Sequence, residues 1–315
     1  MIAHSINMDS VPYAFRNEVA GRISMTDINI LQNQLASADH PGILLWKSLL
    51  QHHTSHRNSI KLSIGFNNGR WSYNIQTWFT KISSESFTFT DFKQVKARYL
   101  QIPIVLFQPV EQRHSSSREE IEEAIKYAAP FINVTTLKLD SKEIEEGDLS
   151  VMLSYFKNVQ FRQIAFTHYR KIYETFLQGQ LQLPFLRTLR MLGSGWSREL
   201  HGEIKELTLD SQFRHVYFND TNLPIDMPFF EQFFQVVPLE DSHNFNSFCS
   251  FSTEELKQYK QDQILRSRLE AKRIVWERND GVIVQAFNNY VNYWTVRLRL
   301  FTPEELSVFK ARFFY

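Results

Sequence analysis

The sequence predicts an α/β protein in which short strands and helices alternate along the central part of the chain. Two observations predict this class. Four short segments share one pattern, in which an apolar residue is followed by a second apolar residue three positions later and by a third two positions after that. Each segment is then followed by apolar residues at helical spacing. A strand followed by a helix, repeated four times, gives a parallel sheet with its helices on one side.

The four apolar segments lie at nearly regular intervals, at residues 134–139, 161–166, 186–191 and 213–218. Their central apolar residues are Leu137, Ile164, Leu189 and Val216, so the steps are 27, 25 and 27 residues. Repeats of roughly 20–29 residues on an L-x-x-L-x-L core are typical of leucine-rich-repeat solenoids. Residues 131–237 are therefore predicted to form an irregular β-α solenoid of this kind, although the Asn that such repeats usually carry after the core is missing.

The segments that follow the four cores each place apolar residues on one helical face. These residues are Leu149, Met152, Leu153 and Phe156, then Ile172, Phe176 and Leu177, then Leu200, Ile204 and Leu207, and last Phe229, Phe230, Phe233 and Phe234. Because a single repeat cannot bury its apolar face, stacking of repeats has to do so. The intervening strand residues then face the open concave side and are the candidate substrate-binding residues: Thr136, Lys138, Gln163, Thr167, Thr188, Arg190, His215 and Tyr217.

The region before the repeats, residues 54–130, has strand patterns followed by one helix. Strands are predicted at 60–64, 71–75, 87–89 and 102–107, with Asn68-Gly69 as a hairpin turn between the first two. Residues 108–117 are polar and are expected to form a loop. Ser117 and Glu120 form a capping-box pattern, which predicts a helix that turns Ile121, Ile125 and Ala128 inward and ends at Pro130.

The region after the repeats, residues 238–315, is predicted to form an antiparallel β unit that covers the end of the solenoid. A loop at 238–246 precedes a helix opened by Ser252. Strands are expected at 273–277 and 282–287 around a turn at 279–281, and a third strand at 293–301. A last helix would place Leu306, Phe309 and Phe313 on one side.

Composition restricts the class of partner and the compartment. The 35 Lys and Arg residues nearly balance the 34 Asp and Glu residues, so long-range attraction of nucleic acid or an anionic membrane is not expected. The one cysteine, Cys249, excludes an intrachain disulfide and a cysteine metal cluster. The first residues lack the pattern of a signal peptide, and no window is apolar enough for a membrane helix. A cytoplasmic or nuclear location is therefore expected.

Several residue groups are candidates for chemistry. His52 and His56 have the i, i+4 spacing of zinc ligands, but no Glu of the metalloprotease type lies between them, so no metal and no cofactor is predicted. The Gly193-Ser-Gly195 segment is expected to form the turn between a strand and a helix. A basic and aromatic surface for an acidic peptide or RNA is also possible, although it has too few arginines to favour RNA; it would comprise Arg187, Arg190, Arg198, Arg214, Trp196 and Tyr217. No set of residues suggests catalysis, and the chain is predicted not to be an enzyme.

The N-terminal residues 9–53 resemble an F-box, whose usual form is Leu-Pro followed by a helix of apolar residues. The resemblance rests on the series Val11, Pro12, Phe15, Val19 and Ile23, and on the later run Leu44, Leu45, Trp46, Leu49 and Leu50. An F-box followed by degenerate leucine-rich repeats is similar to the nematode families of F-box-associated proteins. The resemblance implies that Val11, Pro12, Phe15, Val19, Ile23 and Trp46 dock on the Skp1 adaptor of a cullin ubiquitin ligase. It also implies that the C-terminal part holds a protein substrate.

Two alternatives remain beside this interpretation. Residues 11–23 also fit an ordinary amphipathic helix that packs on its own domain. The chain would then be a stand-alone interaction protein of the leucine-rich-repeat type without an adaptor contact. Co-purification with Skp1 separates these two functions, whereas a deep pocket lined by convergent His, Asp or Arg residues would indicate an enzyme.

Overall fold

The computed structural model describes most of the central chain and shorter stretches on either side of it. The described residues are 31–33, 41–56, 58–77, 86–94, 100–110, 114–132, 135–210, 212–236, 243–248, 250–259, 264–268, 273–277, 283–290 and 293–299. They form two compact units, one made of residues 1–136 and 143–160 and the other of residues 137–142 and 161–315. No helix in the described stretches is long and apolar enough to span a membrane.

The first unit contains strands and helices that precede the repeats, and one helix of the repeat block. Its elements are α1 Pro41–His56, β1 Asn58–Asn67, β2 Arg70–Thr77, β3 Ser86–Phe87, α2 Phe89–Gln94, β4 Leu100–Phe107, β5 His114–Ser116, α3 Arg118–Ala128 and α4 Glu146–Ser154. A short 3-10 helix, Ala129–Phe131, follows α3. The strand β6, Thr135–Leu139, is divided between the units after Thr136.

The predicted hairpin and capped helix of the first unit are both present. Strands β1 and β2 pair antiparallel around Asn68 and Gly69, whose φ angles of 51° and 76° are those that a tight hairpin turn requires. Strand β4 pairs parallel with β1. Helix α3 opens with the full capping box, in which the Ser117 side chain accepts a hydrogen bond from the Glu120 amide. Local sequence signals were sufficient here because each depends on residues only a few positions apart.

Two local expectations for this unit were wrong. The polar stretch 108–117 was expected to be a loop, but His114–Ser116 forms β5 and pairs with Trp71, Ser72 and Tyr73 of β2. A short polar segment can join a sheet edge because the backbone supplies the hydrogen bonds and no buried side chain is needed. Residues 87–89 were expected to be extended, but Phe89 is the first residue of α2. The Thr88 amide and hydroxyl donate to the Asp91 carboxylate, which ends the strand and starts the helix.

The second unit contains one sheet that is parallel on one side and antiparallel on the other. After β6 its elements are β7 Phe161–Phe166, α5 Lys171–Leu181, β8 Thr188–Leu192, α6 Arg198–Leu209, β9 His215–Asn219, α7 Met227–Val236, β10 His243–Phe248, α8 Thr253–Gln258, β11 Ile264–Arg268, β12 Arg273–Glu277, β13 Ile283–Tyr290 and β14 Tyr293–Arg299. The strand order is β6-β7-β8-β9-β10-β14-β13-β12-β11. Strands β7 to β10 pair parallel, and β10, β14, β13, β12 and β11 pair antiparallel in that order.

The predicted α/β class is confirmed, and the apolar repeat residues are buried. The described core residues of the four segments are at most 1% exposed; they are Leu137, Leu139, Phe161, Ile164, Phe166, Leu186, Leu189, Met191, Phe213, Val216 and Phe218. Most of the apolar residues expected on the following helices are buried too, while Ile172 and Leu207 are half-buried. Burial of about ten large apolar side chains stabilises the unit because each removes water-exposed apolar area, at roughly 25 cal/mol per Å².

The helices of the second unit pack on the apolar face of the sheet. Tyr173 of α5 packs on Phe166, with ring centroids 5.1 Å apart. His201 of α6 lies 5.9 Å from Phe218, and Phe229 of α7 lies 5.0 Å from Phe245 of β10. Phe166, Phe218 and Phe245 all lie on the buried face of the sheet. Helices α5, α6 and α7, which pack on them, therefore lie on the same side of the sheet. The side chains of alternate strand residues point to the other side.

The C-terminal part of this unit agrees with the sequence in its hairpin and contains two strands, β10 and β11, that were not predicted. Strands β12 and β13 pair antiparallel, and β14 follows as the third strand. Ser252 and Glu255 cap α8 as predicted. The loop expected at 238–246 is wrong from His243 onward, because β10 continues the parallel strands. The asparagines made this segment look irregular, yet Asn246 alternates with the buried Phe245 and Ser247. The last predicted helix lies outside the described residues.

Candidate functional site

The candidate site is the face of β7, β8, β9 and β10 opposite to the helices, called here the open face. Register pairs Gln163 with Thr188 and Thr188 with His215, which gives one row of neighbouring residues across three strands. The next row pairs Ala165 with Arg190, Arg190 with Tyr217, and Tyr217 with Asn246. The two rows comprise Gln163, Thr188 and His215, and Ala165, Arg190, Tyr217 and Asn246. Arg190 is exposed and the other six residues are half-buried.

Alternation along each strand produces this face. In β8, Leu189 and Met191 are fully buried, while Thr188 is half-buried and Arg190 is exposed. In β9, Val216 and Phe218 are buried, and His215 and Tyr217 are half-buried. The buried residues determine which way the strand faces, because a shift of one residue would expose all of them. The polar residues between them are then directed away from the helices.

Arg190 and Tyr217 form the centre of the open face. The guanidinium carbon of Arg190 lies 4.7 Å from the centroid of the Tyr217 ring, a cation–π arrangement between direct neighbours on adjacent strands. On the same strand, the ring of His215 lies 6.4 Å from that of Tyr217, with 28° between their planes. Among the described residues, no Asp or Glu lies within ion-pair distance of Arg190. The stack therefore holds an exposed positive charge in a defined orientation.

The carboxyl ends of β6 and β7 carry a different, internally satisfied cluster. The Thr167 hydroxyl donates to Oδ1 of Asp140 at 2.6 Å, and the Thr167 amide donates to the Leu139 carbonyl at 3.1 Å. Nζ of Lys138 lies 3.7 Å from Oδ2 of Asp140. Asp140 thus neutralises the lysine locally. Of the basic residues predicted to contact a substrate, Lys138 is paired with an acid, whereas Arg190 is stacked on Tyr217 and no described acid pairs with it.

His168 adjoins this cluster and has a lowered pKa. Burial is the main cause, and the charges of Arg170 and Lys142 add to it, while Asp140 opposes them. Nδ1 of His168 lies 3.2 Å from the Thr167 hydroxyl oxygen. Because that hydroxyl donates its one proton to Asp140, the histidine donates from Nδ1. A threonine hydroxyl bound in this way is part of a structural network and is not presented as a nucleophile.

The turn after β8 is hydrogen-bonded to the segment that follows β9. Gly193 and Gly195 have φ angles of 85° and 114°, which favour glycine. Oδ1 of Asn222 accepts hydrogen bonds from the amides of Gly195 and Trp196, at 3.0 and 3.2 Å. The Asn222 amide group donates back to the Trp196 carbonyl at 2.9 Å. The expected strand-to-helix turn is therefore present, and it positions the end of β8 beside the segment after β9.

On the helix side, the Lys205–Asp226 ion pair joins α6 to the residue before α7, and His201 of α6 packs on Phe218. Burial lowers the pKa of His201 to about 4, with a further contribution from the Lys205 charge and an opposing one from Asp226. Nζ of Lys205 donates to Oδ2 of Asp226 at 2.6 Å, and Oδ1 of Asp226 accepts from the Phe229 amide at 2.9 Å. Burial acts to raise the pKa of Asp226, but its two hydrogen bonds outweigh that and leave the pKa lowered. These groups join helices and lie away from the open face.

The structure brings together five of the eight predicted substrate-binding residues: Gln163, Thr188, Arg190, His215 and Tyr217. Thr167 lies at the carboxyl end of β7, and Lys138 pairs with Asp140. Thr136 is half-buried and belongs to the first unit. The sequence interpretation missed Ala165 and Asn246, whose positions follow from the same alternation. Ala165 is small and apolar and does not have the character of a binding residue, and Asn246 lies in a strand that was not predicted.

The predicted adaptor-binding residues lie mostly beyond the described part of the chain. Val11, Pro12, Phe15, Val19 and Ile23 are outside it. Trp46 lies on α1 and is half-buried. Two apolar neighbours on that helix are exposed to an unusual degree, Leu44 at 50% and Leu45 at 51%.

The two histidines with the spacing of zinc ligands, His52 and His56, are also on α1, and His52 is exposed. In the described part of the chain, no group of three His, Cys, Asp or Glu residues is placed to hold a metal ion. No protein-family model matches the chain, and neither a curated protein nor a solved structure matches it. The function has to be argued from the residues of the chain itself.

Proposed function

We propose that this chain is a non-enzymatic recognition module that binds a segment of another protein across the open face. The observation that supports this most directly is the composition of the two rows. They present one guanidinium, one phenol, one imidazole and four small or neutral side chains on strands that the helices leave uncovered. Tyr and Arg are the residue types that contribute most to binding at protein interfaces.

A solenoid of the leucine-rich-repeat type is the architecture that we propose for residues 131–237. The support is that β7, β8 and β9 are parallel neighbours separated by one helix each, with those helices on one face. In such solenoids the strand face is the usual binding surface. The function is then positional, because binding energy holds the target and no bond is made or broken by the chain.

We further propose that residues 9–53 dock on a Skp1-like adaptor, so that the bound protein is presented to a cullin-type ubiquitin ligase. The resemblance of this segment to an F-box is the reason for the proposal. Helix α1 adds support, because Leu44 and Leu45 expose about half of their surface although leucine contributes favourably when it is buried. An apolar helix surface of this kind gains free energy when a partner covers it.

Mixing the purified full chain with purified Skp1 tests the adaptor function. A complex is expected on size-exclusion chromatography, and both Phe15→Asp and Leu45→Asp are expected to abolish it. Asn158→Asp, at an exposed position outside residues 9–53, is the matched control and should leave the complex intact. If no complex forms with the unmodified chain, the adaptor function is wrong, and the chain is better described as a stand-alone interaction protein.

A further inference from the structure

The open face carries the positive charge of Arg190, whose position is set by its stack on Tyr217. Arg190 is exposed, its guanidinium is stacked on Tyr217 at 4.7 Å, and no described acidic residue pairs with it. A guanidinium stacked by one face still offers its N–H groups in the plane, and this fork matches a carboxylate in a two-point contact. Stacking restricts the arginine beforehand, which reduces the entropy lost when a ligand binds.

The composition of the strands around Arg190 also favours an anionic ligand. Strands β6, β7, β8, β9, β10 and β14 contain no Asp or Glu, whereas they contain five basic residues, Lys138, Arg162, Arg190, Arg297 and Arg299. Two described acids lie directly after these strands: Asp140, after β6, is engaged by Lys138 and Thr167, and Asp220 follows β9. The whole chain is close to neutral, so the acids are concentrated elsewhere. The open face therefore has a local charge that favours an anionic ligand.

The neighbours of Arg190 suit an extended peptide. Ala165 occupies the adjacent position on β7, and its methyl group leaves that flank of the guanidinium uncovered. The hydroxyl of Thr188 and the amides of Gln163 and Asn246 can both donate and accept hydrogen bonds. Such groups match the alternating N–H and C=O groups of a peptide backbone. The spacing of strands, about 4.8 Å, lets a peptide crossing them meet one row residue after another.

The same geometry argues against single-stranded RNA as the occupant. Proteins that bind RNA on a sheet stack bases on exposed aromatic rings. Here one face of the Tyr217 ring is covered by Arg190, and the His215 ring lies beside it at 6.4 Å. A base could not stack on Tyr217 without displacing the arginine. A guanidinium beside a ring whose face is already covered favours a carboxylate ligand over a nucleobase.

We propose that the open face binds an acidic protein segment, with an Asp or Glu carboxylate of that segment paired to the Arg190 guanidinium beside Tyr217. The proposal rests on the proposed function and specifies the class of its target. Gln163, Thr188 and Asn246 bind the backbone of the segment, and Arg190 supplies the selectivity for acid.

The test uses two short fluorescein-labelled peptides and fluorescence anisotropy with the full chain. In one peptide Glu alternates with Thr, and in the other Gln replaces each Glu. The Glu peptide is expected to bind more tightly, and Arg190→Ala should weaken it by about tenfold, as loss of one charge-assisted contact predicts. Arg190→Lys should recover only part of the affinity, because lysine keeps the charge but not the planar fork. Added salt should weaken the Glu peptide selectively.

Arg198→Ala is the matched control, since Arg198 is also exposed but lies on α6, on the opposite side of the sheet. It should leave the affinity unchanged. Circular dichroism of each variant verifies the fold. A labelled oligouridylate that binds more tightly than the Glu peptide, and loses affinity in Arg190→Ala, would overturn the proposal in favour of RNA.

The variant Thr188→Trp separates this proposal from the proposed function, because it blocks the open face beside Arg190. If both peptides bind equally and Thr188→Trp abolishes both, the face binds proteins without selecting acid, and only the present proposal is overturned. If both bind equally and Thr188→Trp changes neither, the open face is not the binding site and both proposals fail. If neither peptide binds, acid recognition by this face is overturned, while the adaptor function is still decided by the Skp1 experiment.

Discussion

Leu189 and Arg190 are consecutive residues with opposite environments, and truncating each to alanine should have opposite consequences. Leu189 is 0% exposed and lies in register between Ile164 and Val216, which are both buried. Arg190 is exposed on the other face. Leu189→Ala leaves a cavity among packed side chains, whereas Arg190→Ala removes a contact at the surface.

The expected magnitudes differ severalfold. Leu→Ala substitutions in a packed core cost about 2–5 kcal/mol, and the complete burial of Leu189 places it near 3 kcal/mol. Loss of an exposed cation–π contact costs about 0.5–1 kcal/mol. With a urea dependence of about 2 kcal/mol per M, Leu189→Ala lowers the unfolding midpoint by roughly 1.5 M. Arg190→Ala lowers it by less than about 0.5 M on the same scale.

Urea titrations followed by tryptophan fluorescence measure both effects, since Trp196 and Trp276 are buried in the same unit. Leu189→Met is the control, because it nearly conserves volume and should cost less than about 1.5 kcal/mol. The peptide assay on the same samples should show the reverse order, with the larger loss of affinity in Arg190→Ala. Equal midpoint shifts for the two alanine variants would refute the assignment of these residues to opposite faces, and with it the open face.

Three further perturbations test the structure around this sheet. Gly195→Ala should cost about 1–3 kcal/mol, because φ is 114° and the added Cβ would lie 2.6 Å from the Tyr169 ring. Gly179→Ala on α5, where no atom lies within 4 Å of the new Cβ, should raise the free energy of unfolding by up to about 1 kcal/mol. Urea midpoints that shift in the same direction for the two glycine variants would contradict these expectations. Ser252→Ala removes the N-cap of α8 and should lower the free energy of unfolding by about 1 kcal/mol. Hydrogen exchange of the Glu255 amide should become faster, and Ser252→Asp should slow it again. Between pH 6.5 and about 4 the unfolded chain protonates His201 and the folded chain does not, so stability should fall as the pH is lowered through this window. His201→Gln should flatten that dependence in urea midpoints, and an unchanged slope would show that His201 is not its source.

The repeat strands could be predicted because their signal is local and redundant. Leu137, Ile164, Leu189 and Val216 each belong to a pattern that also specifies two further apolar positions, and a helical pattern follows each one. All four are buried in β6, β7, β8 and β9. Long runs of consistent periodicity leave few alternative structures. The order of the parallel strands then follows because consecutive strand–helix units usually pack as neighbours.

The antiparallel half was harder to predict because its pairing is not local. Strand β10 was missed, and β14 pairs with it although about fifty residues separate them along the chain. Nothing in a window around Asn246 indicates that partner, since a strand is stabilised by whichever neighbour supplies hydrogen bonds. Buried Ser247 shows the same limit, because its hydroxyl donates to the Leu223 carbonyl at 2.9 Å. A buried polar residue of this kind looks exposed in a sequence pattern.

The candidate site was predictable in five of its seven residues and not in its contacts. Alternation places Arg190 and Tyr217 on the open side of β8 and β9 without further information. Their stack requires the register that makes them direct neighbours, and a shift of one residue would separate them. Likewise Lys138 looked equivalent to Arg190 in the sequence, and only the position of Asp140 distinguishes the two charges.

If the open face binds an acidic segment as proposed, Arg190, with which no described acid pairs, selects its target mainly by penalising the wrong one. A neutral segment that covered Arg190 would remove water from the guanidinium without returning an anion, and such loss of solvation is costly. A carboxylate partner offsets that loss, and the stack on Tyr217 means that little ordering remains to be done at binding. The buried side chains of β8 hold the strand in the sheet independently of Arg190. Selectivity can thus be altered at Arg190 with little effect on the fold, which is why the adjacent pair Leu189 and Arg190 separates stability from binding.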